Sequence, residues 1–251
     1  MEPLPLLLVL LAGTLATDII DKPLDMAPNS FDDQYRGCQD RMLRVLPKLN
    51  RTEFATNRNY SKTWVTATAL WNKRPHPHPL LPRDEGISLL AYTLWTNLYL
   101  TFNAATREAG SSSCQYRNNF HYKVLHFLLT RALEDLQRAE SHPRCFHVYR
   151  GVRGTRFITR PGRTVRLGQF TSSSPKKEVA QRFGTDTFFE VETCHGASIR
   201  NFSNVCLEEE VLIPPFEKFK VTRVTHLGGK TQIQLKSHGV YSKYNCEYLR
   251  G

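Results

Sequence analysis

From Asp84 onward, Ile87, Leu90, Ala91, Leu94, Leu98 and Phe102 recur at helical spacing, which predicts a helix with one apolar face. A second pattern starts near His121 and runs through Tyr122, Leu125, Leu129, Leu133 and Leu136, with polar residues between. Gly110-Ser111-Ser112-Ser113 separates the two and reads as a flexible loop. Shorter helical candidates lie near residues 31–48 and 60–72, and "RPHPHPLLPR" reads as a proline-broken connector.

After Pro143 the period changes. "FHVYRGV", "TVRLGQFTSSS", "TFFEVET", "EEEVLIPP", "KFKVTRV" and "KTQIQLK" are short, rich in β-branched and aromatic residues, and several alternate in polarity. One helix interrupts them, with Ser174 as the expected N-cap and Pro175 as its first position, opening "KKEVAQRF". Helices first and strands afterward predict an α+β fold, a helical N-terminal half packed on a β-rich C-terminal half. No linker divides them, so residues 17–251 are expected to form a single domain.

Composition places that domain in a compartment. The apolar stretch from Leu4 to Ala12, with small residues through Ala16, reads as a signal peptide over residues 1–16. It is too short for an ordinary membrane span. The other end, "YSKYNCEYLRG", carries no hydrophobic tail, so a secreted, soluble, monomeric protein without a membrane anchor is expected. Six cysteines in an oxidising compartment favour disulfides but allow 15 connectivities. No Cys/His spacing suggests zinc, and no metal is expected. Sequons at Asn50, Asn59 and Asn201 fit the same route. The net charge of +11 favours anionic partners, but the basic residues are spread along the chain. A generally cationic surface fits that spread better than a nucleic-acid stripe, and no nucleic acid is expected.

Three short stretches carry candidate chemistry. In "VYRGV", Arg150 offers a planar fork suited to phosphate oxygens, and Gly151 leaves room for a ligand against the backbone. In "GQFTSSS", a hydroxyl run ends a strand, where turn and cap chemistry would also place it. In "LEEEVLIPP", an extended backbone would put Glu208 and Glu210 on one face and Glu209 on the other. Each alone is more simply a structural feature.

Together, their order resembles the secreted and cell-surface vertebrate mono-ADP-ribosyltransferases. These form the arginine-specific branch sharing an R–S–E-x-E arrangement with clostridial-type toxins. The resemblance spans the mature chain through "SFDDQYRGC", "LYLTFNAATREAG", "YKVLHFLLTRAL", "VYRGV", "LGQFTSSS", "VAQRFG", "EEEVLIPPFE" and "NCEYL". It implies transfer of ADP-ribose from NAD, with NADP as an alternative, to arginine in acceptor proteins, with nicotinamide leaving. By the same resemblance Arg150 grips the phosphate nearest the nicotinamide ribose, and the Gly151 backbone reads the carboxamide. Ser172 stands at the first serine of the family's S-T-S element, here Ser172-Ser173-Ser174. Glu210 bonds the ribose 2′-hydroxyl as the catalytic glutamate, and Glu208 orients the guanidinium. Tyr92, Gln169 and Ser203 are implied NAD contacts, with Phe183 a ring near nicotinamide; for Tyr92 and Phe183 core packing is an equal alternative. The implied disulfides are Cys38–Cys246 and Cys145–Cys194, leaving Cys114 and Cys206 to pair or stay free.

Physical chemistry agrees with those roles. Cleaving the nicotinamide–ribose bond develops positive charge on the sugar, which a fixed carboxylate stabilises more in the transition state than in the ground state. Guanidinium is a poor nucleophile because it is essentially always protonated, so a second carboxylate that aligns it addresses the harder half of the reaction. Glu209 should matter least. Two other readings compete: an NAD glycohydrolase in which water replaces arginine, and a non-catalytic secreted binding domain.

Overall fold

A computed structural model describes residues 19–74, 80–140 and 145–250. The expected signal peptide and part of the proline connector lie outside those residues. Strand β1 (Ile20–Pro23) is followed by six helices: α1 (Gln39–Thr56), α2 (Arg58–Trp71), α3 (Arg83–Thr93), α4 (Leu98–Ala109), α5 (Ser113–Asn119) and α6 (Lys123–Ala139). The second half holds β2 (Phe146–Val152), β3 (Thr155–Ile158), β4 (Thr164–Arg166), β5 (Thr171–Ser173), α7 (Lys177–Arg182), β6 (Thr187–Thr193), β7 (Ala197–Ser198), β8 (Val211–Ile213), β9 (Glu217–Leu227) and β10 (Lys230–Val240). The α+β expectation holds, helices first.

Several boundaries differ from the sequence reading, each for a local reason. Residues 31–38 are not helical, because Asp32 and Asp33 are committed elsewhere. Their carboxylates accept backbone N–H groups from Lys243, Tyr244, Cys246 and Glu247, which fixes this segment beside the C-terminus. The pattern from Asp84 to Phe102 is two helices rather than one. Thr93 turns its hydroxyl back onto the carbonyls of Leu89 and Leu90, Leu94 is extended, and the chain restarts at Leu98. The expected Gly-Ser loop is shorter than it looked. Ser112 accepts the N–H of Gln115 at 3.0 Å and so caps α5, whose Tyr116 stacks on Phe31 at 4.0 Å between ring centroids. Finally, α7 begins at Lys177 and not at Pro175, because Ser174 exchanges both backbone hydrogen bonds with Tyr149 and belongs to the sheet.

A five-stranded sheet runs in the order β2-β6-β10-β9-β4, and a three-stranded sheet in the order β5-β8-β7. β1 pairs in parallel with β3 as a separate ribbon. One apolar cluster joins the helices to the smaller sheet through Phe170, Ala197, Ile199, Phe202 and Leu212. A second lies under the larger sheet and includes Val148, Phe189, Val211, Ile213 and Phe219. β8 contributes to both, Leu212 to one and its neighbours to the other, as alternating strand faces require. The two sheets touch at the Tyr149–Ser174 bridge. β2, β5 and β8 therefore converge where the three candidate stretches lie. Disulfides Cys38–Cys246 and Cys145–Cys194 are formed, and Cys114 and Cys206 are free and exposed.

Candidate active site

Arg150 sits on β2, and its Nη1 donates to the carbonyl of Ser172 on β5 at 2.7 Å. That bond ties the two strands and leaves the rest of the fork without a hydrogen-bond partner among the described residues. Burial lowers the pKa of Arg150, while Tyr92 and Glu210 push it back up; the group stays charged. Enclosed as it is, its remaining exposed surface belongs to a cavity.

That cavity has a volume of about 460 Å³. All nine residues singled out in the sequence line it: Tyr92, Arg150, Gly151, Gln169, Ser172, Phe183, Ser203, Glu208 and Glu210. A smaller recess of about 50 Å³ continues from it under α7, walled by Arg150, Gly151, Ser172, Phe183, Glu208 and Glu210 among others.

Glu210 precedes β8 and is only 5% exposed. Burial raises its pKa, opposed by hydrogen bonds from Ser172 and Ser203 and, more weakly, by the charge of Arg150. The hydroxyl of Ser203 donates to Glu210 Oε2 at 3.1 Å and itself accepts the N–H of Val205. Two hydroxyls thus aim a nearly buried carboxylate. Glu208 is half-buried, and its pKa is raised by burial and lowered by the charge of Arg182.

The route by which the two carboxylates share the cavity differs from the expected extended strand. Cys206–Glu208 is a turn of 3-10 helix, and Glu209 adopts the left-handed conformation at φ 47°. This kink, rather than strand alternation, brings Glu208 and Glu210 to one side. Glu209 does point away from the cavity, but into ion pairs with Lys176 and Arg200.

The bare Gly151 borders the cavity and also meets a packing need. A Cβ on Gly151 would lie 2.2 Å from the carbonyl oxygens of Ala180 and Gly184, so its bareness first admits α7 against β2. Tyr92 is a core residue that also borders the cavity. It is 3% exposed and packs edge-on against Phe102 and Phe170, yet it lines the cavity. Its hydroxyl donates to the Phe170 carbonyl and accepts from Asn103, and burial pushes its pKa up to about 12. Phe183 is 55% exposed at the rim and is not core. Gln169 accepts a hydrogen bond from Arg107.

Sequence reasoning missed the far wall, where Trp95, Tyr99, Asn103 and Arg107 line the cavity. Tyr99, Asn103 and Arg107 recur every four residues on α4, a polar stripe that only the partner surface distinguishes from a solvated face. Asn103 is nearly buried, and its Oδ1 has no hydrogen-bond partner among the described residues.

Comparison with known proteins agrees with this geometry. Residues 24–243 match the family model "NAD:arginine ADP-ribosyltransferase". The chain is 51% identical to NAD(P)(+)--arginine ADP-ribosyltransferase 2 of Gallus gallus, over 100% of this chain and 85% of the relative. It is 49% identical to GPI-linked NAD(P)(+)--arginine ADP-ribosyltransferase 1 of Homo sapiens, over 90% of this chain and 74% of the relative. Among solved structures, the eukaryotic mono-ADP-ribosyltransferase ART2.2 superposes with a TM-score of 0.77 at 39% identity, covering 91% of this chain and 99% of that one. A variant of ART2.2 has been solved in complex with NAD. Exoenzyme S from Pseudomonas aeruginosa, with a TM-score of 0.57 at 20% identity over 73% of this chain and 88% of that one, shares the fold. Matched along nearly its whole length, the chain belongs to the NAD:arginine ADP-ribosyltransferase family.

Proposed function

We propose that this protein transfers ADP-ribose from NAD to the guanidino group of arginine in acceptor proteins, releasing nicotinamide. The observation that carries the reading is the convergence of Arg150, Ser172, Glu208 and Glu210 on one cavity. A volume of about 460 Å³ is in the range that small-molecule sites occupy. The fit is chemical too. The unspent donors of Arg150 suit a phosphate, and the orphaned Asn103 Oδ1 and the Arg107–Gln169 pair offer polar partners along the far wall. NADP is carried as an alternative donor.

In this reading Arg150 anchors the diphosphate and the recess under α7 receives the nicotinamide end. Glu210, aimed by Ser172 and Ser203, stands as the negative charge beside the sugar carbon that loses its leaving group. Its burial matters because a carboxylate in low dielectric stabilises a developing cation more strongly than one in water. Glu208 presents a second carboxylate at the mouth, where it aligns the entering guanidinium and takes up its proton as the new C–N bond forms.

Two disulfides, which persist in oxidising compartments, support action outside the cytosol. No helix among the described residues is long and apolar enough to cross a membrane. We infer secretion as a free monomeric domain. Of the three sequons, the Asn50 and Asn59 side chains are hydrogen-bonded to Tyr60 and Thr101, whereas Asn201 lies exposed in a turn and is the acceptor we favour for a glycan.

Incubation with labelled NAD and agmatine tests the activity. Label on agmatine is expected, and Glu208→Gln should cut that transfer at least tenfold while nicotinamide release without acceptor persists. Free ADP-ribose as the sole product would identify a glycohydrolase, and intact NAD would leave a binding domain.

A further inference from the structure

Glu209 lies between the two carboxylates of the cavity yet faces away from it, and its surroundings are built. Its Oε1 accepts from Lys176 Nζ at 3.1 Å and from Arg200 Nη1 at 3.2 Å. These two cations come from opposite sides: Lys176 is the N-cap of α7, and Arg200 follows β7. A third contact acts on the neighbouring peptide, where the hydroxyl of Ser174 donates to the Glu208 carbonyl at 2.7 Å and accepts the N–H of Lys176 at 3.1 Å. The backbone at Glu209 is in the left-handed region, which a non-glycine residue keeps only where its surroundings hold it.

These contacts act first on Glu208, whose carbonyl and following residue they hold. Glu210 is fixed independently by Ser172 and Ser203 and by the start of β8. The 3-10 turn carrying Glu208 has no buried residue of its own: Cys206 and Leu207 are exposed, and Leu207 is 79% exposed. Without a packed anchor, the direction of the Glu208 side chain is set by its carbonyl and by the residue that follows it.

We propose that Lys176, Glu209 and Arg200 form an ionic clamp that positions Glu208, so that the clamp sets how the ADP-ribosyl group is divided between arginine and water. The inference rests on the transferase reading. The three are positioning residues: the clamp touches neither NAD nor acceptor, and it leaves the cleavage machinery at Glu210 untouched. Glu209 therefore differs from the idle residue expected from the sequence.

Two products are measured in parallel with the intact protein, nicotinamide released without acceptor and ADP-ribosyl-agmatine formed with it. For Glu209→Gln, and separately for the Lys176→Met, Arg200→Met double variant, nicotinamide release should stay within about twofold of wild type. The ratio of transfer to hydrolysis should fall about five- to tenfold, with a raised KM for agmatine, the size expected from losing two half-exposed ion pairs that act together. Arg200→Lys, which keeps the cation, should retain most of the wild-type ratio. Raising salt from low to about 0.5 M should lower the ratio in wild type more than in Glu209→Gln, because screening weakens a pair the variant lacks. An unchanged ratio in both variants overturns the clamp. So does a parallel fall in both products, which would mark a merely structural role. A wild-type enzyme that cleaves NAD but never modifies agmatine would overturn the transferase reading, and one that leaves NAD intact would remove the basis of both.

Discussion

Replacing Glu210 by Gln separates the cost of burying a charge from its use. The substitution keeps the shape and one acceptor oxygen; it removes the charge and turns the other oxygen into an NH2 donor, which one of the two serine hydroxyls must rotate to accept. In the folded protein Glu210 is 5% exposed and its pKa is raised chiefly by burial. A raised folded pKa contributes stability fully present below the ordinary carboxylate value and lost as pH rises through the folded value. At neutral pH the ionised side chain is therefore a burden on the fold, and Gln relieves it. For catalysis the sign is opposite. A charge about 4–5 Å from a developing cation, at an effective dielectric of ~20, interacts by roughly 3–4 kcal/mol, against about 1 kcal/mol in bulk water. A loss of about 100- to 1000-fold in nicotinamide release is thus expected, the range seen when one preorganised transition-state contact is removed. Nicotinamide release measured by chromatography, together with thermal unfolding from pH 4 to 8, reads both effects. The melting temperature of Glu210→Gln should equal or exceed that of wild type at pH 8, and the two should converge toward pH 4. Retention of more than a tenth of the rate would refute the electrostatic role. A drop of several degrees at pH 8 would show that the carboxylate holds the fold together.

Two further outcomes follow from the packing. Gly151→Ala should cost about 1–3 kcal/mol by forcing α7 from β2, and should raise the KM for NAD as Phe183 moves with it; an unchanged melting temperature would contradict the close approach. His126 is fully buried between Tyr35 and Phe31, and its pKa is lowered by burial to about 3. A depressed folded value means stability present above the unfolded value of about 6.5 and lost as pH falls toward about 3, up to roughly 4–5 kcal/mol in all. Glu53 and Glu85, raised to about 7 and about 8 by burial, act in the opposite direction as pH falls toward 4.5. His126→Asn should therefore flatten the acid limb of a melting-temperature profile below pH 6.5, and parallel profiles for variant and wild type would dismiss the histidine as its source.

Legibility from sequence was uneven for a physical reason. The long helix α6 could be read from the period of Leu125, Leu129, Leu133 and Leu136, although the sequence did not show that its first two turns, residues 123–130, are buried on every side. β2, β6, β9 and β10 could be read from β-branched and aromatic runs. α5 could not, since seven residues carry too little period and a single serine cap decides its start. Residues 31–38 looked helical because a sequence window cannot show that Asp32 and Asp33 bond a segment more than 200 residues away.

The site divides along the same line. Residue types and order in the chain, Arg-Gly on one strand, a serine run on another and two glutamates separated by one residue, determined which chemistry is present. Only the tertiary structure decided how it is assembled. Three strands from two sheets meet at the Tyr149–Ser174 bridge, and Glu208 reaches the cavity through a 3-10 turn and a left-handed residue instead of by strand alternation. Gly151 is bare for the sake of a helix, and the polar wall on α4 exists only where that helix faces the strands. Local periodicity and chemistry are properties of neighbours in sequence. The direction of a carboxylate at a loop depends on charges such as Lys176 and Arg200 that folding brings from elsewhere.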